Sequence, residues 1–296
     1  MDEHDHPVNE PIARGRTAEI HALRPGWVVK VYGEEHGREK AARERRSLAW
    51  AADQGVSVPC VGRVVCRQGR YGLSMARVEG RNGMNVILAG GVDVAEEAVK
   101  IAMLQMSVNR APGGRLPDRR EFLKSRCECC DDLTAPEKKA LVGLLSDLPD
   151  GDRLIHGDFH PGNVIWSPAG PVIIDWVDAC RGDPVSDVAR SLVLFGAPVP
   201  GEPPADEARA IFTKTYLDAY QRLTGNPLER LSEWVLVTSA ARMADGAAQG
   251  DVDLRRRVHE VIHARLICGA RTGVSAARRA LSYYQACRPS TDSPTS

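Results

Sequence analysis

The chain has 296 residues, and its 39 Lys+Arg equal its 39 Asp+Glu, so the formal net charge is zero. That length suits one bilobed unit or two small domains, and the charge balance leaves no electrostatic footprint for nucleic acid. No apolar run approaches membrane-spanning length and the acidic opening MDEHDHPVNE is not a signal peptide, so the expectation is a cytoplasmic protein with no membrane partner. In chain order, residues 1–11 and 290–296 read as disordered tails. Residues 12–32 read as two strands around a turn. Residues 38–54 read as a helix with Ala41, Leu48, Ala49 and Ala52 on its apolar face, ended by Gly55 and kept from resuming by Pro59. Residues 61–66 and 72–76 read as strands around the polar turn Arg67-Gln68-Gly69-Arg70. That order suits a small antiparallel-sheet lobe over 12–80. The segment Glu79-Gly80-Arg81-Asn82-Gly83 leads into a larger, mainly helical lobe over 81–289. There, 94–106 has helical period. Thr134-Ala135-Pro136-Glu137 forms a capping box opening a helix that buries Leu141, Leu144, Leu145 and Leu148. Residues 204–222, 229–248 and 252–286 also read as helices.

The chemistry concentrates at 156–175. His156-Gly157-Asp158-Phe159-His160-Pro161-Gly162-Asn163 is an H-x-D-x-x-x-x-N loop, followed by Ile173-Ile174-Asp175-Trp176 at a strand end. Phosphoryl transfer asks a protein for few groups: a carboxylate to accept the acceptor's proton and oxygen ligands to hold Mg²⁺ against the phosphates. Asp158 suits the first task; Asn163 and Asp175 suit the second, being hard oxygen donors. Lys30 lies among Val28, Val29, Val31 and Tyr32, and a lysine in an apolar strand is costly unless paired. Glu44 on the following helix is the expected partner and Glu39 the competing one.

These residues resemble the aminoglycoside phosphotransferase and choline kinase-like family of small-molecule kinases. The resemblance rests on HGDFHPGNVIW at 156–166, VIIDW at 172–176 and RGDPVSDVAR at 181–190. Upstream it extends to GRTAEI at 15–20, WVVKVY at 27–32 and RERRSLAWAADQGVSVP at 43–59. It implies an α+β, bilobed protein-kinase-like fold and transfer of the γ-phosphoryl of ATP, with GTP left open, to a small-molecule hydroxyl. The cofactor implied is Mg²⁺, and no protein partner is implied. It further implies that Lys30, held by Glu44, contacts the α and β phosphates. The hairpin bearing Thr17 would cover the nucleotide, and backbone groups of Ala76 and Val78 would hold the adenine. Gly157 stands where protein kinases carry Arg, and Trp176 where they carry Phe. The chain also lacks an APE segment downstream of these; the three departures are what the small-molecule kinases show and argue against protein substrates, and a G-x-G-x-x-G loop is missing as well.

Other features point elsewhere or nowhere. His156, Asp183 and Asp187 read as structural, with Asp187 opening a helix over 188–194; His160 is divided between a structural role and contact with phosphate or substrate. His259-Glu260-Val261-Ile262-His263 matches the HExxH pattern of zinc proteases, but no third ligand follows His263 outside the tail. A catalytically inactive nucleotide-binding scaffold is the other alternative, and it predicts loss of Lys30, Asp158, Asn163 or Asp175, all of which are present. Cys127, Cys129 and Cys130 are among eight cysteines and read as reduced thiols. For the acceptor, an aminoglycoside would want an acidic pocket and a choline-type substrate an aromatic cage. Phe212, Tyr216, Tyr220 and Trp234 are the cage candidates, though helical spacing more often means core.

Overall fold

In a computed structural model the chain divides into two compact units: the described residues up to Gly90 with His156–Cys180, and Gly91–Ile155 with the described residues from Arg181 onward. The sequence reading instead breaks the chain between 80 and 81. The structure describes residues 10–196, 206–244 and 252–266, without 16, 34, 68, 226, 253 and 265. Residues 1–9 of the predicted tail 1–11, the predicted tail 290–296, and the parts of the predicted helices at 204–205, 245–248 and beyond 266 lie outside the described residues.

The first unit opens with β1 (Ala13–Arg14), β2 (Ala18–Arg24) and β3 (Trp27–Tyr32). Three strands form where two were expected, because the Gly15 amide donates to the Ala18 carbonyl at 2.9 Å and closes a tight turn. Helix α1 (Gly37–Asp53) follows, then β4 (Val61–Arg67) and β5 (Arg70–Ala76). The sheet is antiparallel in the order β1-β2-β3-β5-β4. Every residue of β3 from Val28 to Tyr32 is buried, so this central strand is covered on both faces. Along α1 the buried stripe runs Ala41, Glu44, Leu48, Ala51, the spacing of one helical face. A glutamate in that stripe must find a partner. Past the helix, Gly55 takes φ +79°, the left-handed geometry that ends helices at little cost for glycine.

Next come β6 (Arg81–Asn82) and the short helix α2 (Gly83–Leu88), whose start is capped by Asn82 accepting from the Asn85 amide at 2.8 Å. The second unit then holds α3 (Val94–Arg110), α4 (Arg119–Glu128), α5 (Ala135–Ser146) and β7 (Arg153–Ile155). Asp93 and Asp118 cap α3 and α4; α2 and α4 are absent from the sequence reading. The expected capping box at Thr134 and Glu137 is present. The chain returns to the first unit through a 3-10 turn at Pro161–Asn163, β8 (Val164–Ser167) and β9 (Gly170–Ile173). These strands form a three-stranded sheet in the order β6-β8-β9. β10 (Cys180–Gly182) pairs with β7, and α6 (Pro184–Phe195), α7 (Asp206–Thr224) and α8 (Leu231–Met243) complete the named elements. Residues 254–264 are also helical. Among the described residues no helix is long and apolar enough to cross a membrane.

A buried polar ladder joins α3, α6 and α7. Gln105 Oε1 accepts from the Ser191 hydroxyl at 3.1 Å and from the Tyr216 hydroxyl. One turn on, Asn109 Oδ1 accepts from the Tyr220 hydroxyl at 2.9 Å, while Asn109 Nδ2 donates to the Leu154 carbonyl and to Asp187. Tyr216 and Tyr220 are therefore buried structural groups, as are Phe212 and Trp234. None of the four serves as an exposed aromatic cage. Asp187 does not open α6 as expected: the helix starts at Pro184, and Asp183 caps it by accepting from the Val185 amide at 2.9 Å. Burial raises the Asp183 carboxyl above its ordinary value, against the pull of that amide. A cavity of about 370 Å³ beside these helices is lined by Met106, Asn109, Asp183, Val185, Tyr220 and Leu228 among others.

The HExxH helix has a structural use. His259 Nδ1 lies 2.7 Å from Glu137 Oε1 and His263 Nε2 lies 3.4 Å from the same oxygen. Glu137 Oε2 accepts from the Thr134 amide and hydroxyl at 2.8 and 2.7 Å. Glu260, the residue a protease would use as base, pairs with Arg256 at 3.2 Å. No group of three His, Cys, Asp or Glu among the described residues is arranged to hold a metal. Burial of Glu137 opposes its charge, but the bonds from His259 and Thr134 outweigh it and lower its carboxyl from 4.5 to about 2. The stability it contributes is present above pH 4.5 and is lost as pH falls towards 2. Glu137→Gln is expected to cost about 2 kcal/mol at pH 7. Urea midpoints should show the gap between variant and parent closing below pH 4.5; a constant gap would refute the linkage.

Cys127 and Cys130 are buried and Cys129 is exposed; none is in a disulfide. Burial, aided by the neighbouring Cys130, pushes the Cys127 thiol up to about 12, so it stays protonated and inert.

Candidate active site

The catalytic-loop and metal-ligand candidates Asp158, Asn163 and Asp175 lie in the first unit, within the one stretch His156–Cys180. Gly157 turns the loop at φ +81°, and a Cβ there would lie 2.3 Å from the Asp178 carbonyl oxygen. Only glycine combines that backbone with that approach. Gly157→Ala is expected to cost about 2 kcal/mol or more, read as a lowered urea midpoint at unchanged m-value. A midpoint equal to the parent's would show that the turn can relax.

His156 is fully buried between Trp176 and Phe159, at ring-centroid distances of 4.6 and 5.6 Å. Its Nδ1 accepts from the Asp158 amide at 3.3 Å, so Nε2 carries the proton and donates to the Ile174 carbonyl at 3.0 Å. The imidazole thus ties the Asp158 loop to the strand end that precedes Asp175, a structural contact of the kind expected of His156 from sequence. Asn163 adds a second tie: its Nδ2 donates to the Asp158 carbonyl at 2.8 Å, and its own carbonyl accepts from the Ile174 amide at 2.9 Å. With Nδ2 engaged by the loop, Oδ1 is the atom left to act as a ligand. Across the loop, His160 Nε2 stands 3.8 Å from Asp158 Oδ2, and its Nδ1 accepts from the Gly162 amide at 3.1 Å.

Asp175 has φ +66°, an uncommon conformation for a non-glycine residue and one that marks sites held in place by their surroundings. Its Oδ1 lies 2.7 Å from Lys30 Nζ. Lys30 also lies 2.9 Å from Glu44, which settles the pairing in favour of Glu44; Glu39 is exposed in the first turn of α1. Burial would discharge Lys30, yet the charges of Glu44 and Asp175 outweigh it and hold the ammonium well above its ordinary value. The amine is therefore a fixed cation.

Two contacts to Glu44 escaped the sequence reading. The Tyr32 hydroxyl donates to Glu44 Oε2, and the Trp176 amide donates to Glu44 Oε1 at 3.0 Å. The only signal in the sequence was periodicity: Tyr32 stands two residues beyond Lys30 and hence on the same strand face. At the end of β5, the Ala76 amide donates to the Cys60 carbonyl at 2.8 Å, which leaves the Ala76 carbonyl, not its amide, for the adenine contact expected from the sequence. Val78 is half-buried just beyond β5, and Thr17 is exposed in the turn between β1 and β2.

Residues 10–234 match the family described as APH, phosphotransferase enzyme family. The chain belongs to that family. Solved structures similar to this phosphotransferase include an aminoglycoside-3′-phosphotransferase of type VIII, at 21% identity and TM-score 0.55, covering 83% of this chain and 94% of that one. The streptomycin–ATP–APH(2″)-IIa ternary complex is similar at 14% identity and TM-score 0.53, over 84% of this chain and 91% of that one. The macrolide 2′-phosphotransferase MphH from Brachybacterium faecium is similar at 20% identity and TM-score 0.50, over 92% of this chain and 90% of that one. These likenesses establish the fold as protein-kinase-like, with an antiparallel-sheet N-terminal region and a helical C-terminal region. No curated protein matches the chain significantly.

Proposed function

We propose that this phosphotransferase moves the γ-phosphoryl of ATP to a hydroxyl of a small molecule, in the cytoplasm. An aminoglycoside-like antibiotic or an amino-alcohol is the acceptor class in view. The observation that supports the reading above all is the convergence of Lys30, Glu44 and Asp175 within hydrogen-bond distance, with Asp158 and Asn163 held to one another beside the same strand end. Asp158 orients the acceptor hydroxyl and takes its proton. In a loose transition state that proton leaves late, so orientation contributes as much as basicity. Lys30 holds the α and β phosphates, and its fixed charge offsets theirs. Thr17 and its hairpin cover the nucleotide, and the Ala76 carbonyl and Val78 backbone hold the adenine.

Asn163 and Asp175 suit Mg²⁺: both present hard oxygens, one neutral and one charged, and the engaged Asn163 Nδ2 turns its Oδ1 into the ligand. When bound, the ion would neutralise charge on the phosphates. The same carboxylate now rests against Lys30, a cation with which it shares charge complementarity.

The test is ADP release from Mg·ATP across a panel of hydroxyl-bearing small molecules: aminoglycosides, macrolides, choline, amino sugars and homoserine. Asp175→Ala serves as the blank. Acceptor-dependent release that vanishes in the blank supports the reading and identifies the acceptor class. Release that is equal in the blank and the parent would sink it.

A further inference from the structure

We infer that Tyr32 is a positioning residue for phosphate binding, acting through Glu44. This rests on the reading of Lys30 as the phosphate-binding lysine. The Glu44 carboxylate is almost wholly buried, 1% exposed, and both of its oxygens are engaged. Oε1 accepts from the Trp176 amide at 3.0 Å, Oε2 accepts from the Tyr32 hydroxyl, and Lys30 Nζ lies 2.9 Å from each. Two donors on opposite oxygens stop the carboxylate from rotating about its terminal bond. Lys30 then straddles a fixed plane instead of following one oxygen.

The consequence concerns how Lys30 divides its contacts. Its ammonium is shared between Glu44 and Asp175, the latter at 2.7 Å. Without the Tyr32 hydroxyl, one buried carboxylate oxygen loses a donor that no solvent can replace. The carboxylate turns, Glu44 holds Lys30 less firmly, and the lysine stays on Asp175 instead of meeting the phosphates. Tyr32 is itself 1% exposed, and burial together with the Glu44 charge raises its hydroxyl far above the ordinary tyrosine value. It remains a donor throughout the usable pH range.

The test uses the full chain and the probes Mg·ATP and adenosine, with affinities read by calorimetry. Tyr32→Phe keeps the ring, which lies 5.5 Å from Lys30 Nζ, and removes only the hydroxyl. Its thermal unfolding shows whether it is folded. It is expected to bind Mg·ATP about tenfold more weakly and adenosine within about twofold of the parent. In a Glu44→Ala background the same change should have no further effect, because the residue through which Tyr32 acts is gone. Equal weakening for adenosine and Mg·ATP, or an effect that persists without Glu44, would mean a general packing role and overturns the inference. So would parental Mg·ATP affinity in Tyr32→Phe while Lys30→Met loses the phosphate-dependent part. If the parent itself binds Mg·ATP no more tightly than adenosine, the reading of Lys30 fails and takes this inference with it.

Discussion

Asp175→Ala is expected to lower turnover by about 10³-fold or more and to abolish the dependence of nucleotide affinity on Mg²⁺. Asp175 is the one carboxylate in the proposed metal pair, so its loss leaves Asn163 alone as a neutral ligand. Charge then builds on the transferring group without its counter-ion. The protein should remain folded, because Lys30 keeps Glu44 at 2.9 Å and so is not left buried and unpaired. The measurement is nucleotide affinity with and without Mg²⁺, by calorimetry, alongside ADP release with whichever acceptor the panel identifies. Magnesium-dependent affinity surviving in the variant would show that Asp175 serves only as a counter-charge for Lys30.

Asp158→Ala is expected to reduce kcat by about 10²–10⁴-fold while leaving Mg·ATP affinity within about twofold of the parent. The local geometry makes this a clean experiment. The loop is held by the Asp158 backbone: its carbonyl accepts from Asn163 Nδ2 at 2.8 Å, and its amide donates to His156 Nδ1 at 3.3 Å. Truncating the side chain removes the acid and leaves both ties. The side-chain contact to Asn163 is the looser one, 3.5 Å to Oδ2. A variant with parental kcat would move the base elsewhere, and His160, 3.8 Å from Asp158 Oδ2, would be the first residue to examine. A loss of Mg·ATP affinity matching the loss of kcat would point to collapse of the loop.

The chemistry was legible in one dimension because its parts lie close together in the chain. Asp158, Asn163 and Asp175 occupy eighteen consecutive positions, and the loop carrying the first two is set by local rules: Gly157 at positive φ just before Asp158, and His156 and His160 each accepting the amide two residues on. Lys30 announced itself by standing among valines, where an unpaired charge is costly. Helix ends were equally local: the Thr134 capping box and Gly55 needed nothing beyond a few neighbours. These features follow from the sequence by itself, as does the family pattern.

Tertiary structure decided whatever depends on which faces meet. Glu39 and Glu44 both follow Lys30 on the same helix, and only the packing of the Ala41–Leu48–Ala51 stripe buries Glu44 and leaves Glu39 in solvent. The Lys30–Asp175 contact joins residues 145 apart, a separation over which no periodicity carries information. His259 and His263 matched a zinc pattern in sequence, yet both imidazoles face Glu137, more than a hundred residues upstream. Phe212, Tyr216, Tyr220 and Trp234 had the composition of a cation cage, and burial made them core instead. Ala76 shows the same limit on the backbone: strand pairing claimed its amide for Cys60. Short-range sterics and hydrogen bonding write the local motifs into the chain, whereas the partner of a buried charge is chosen by long-range packing, which must satisfy every such group at once.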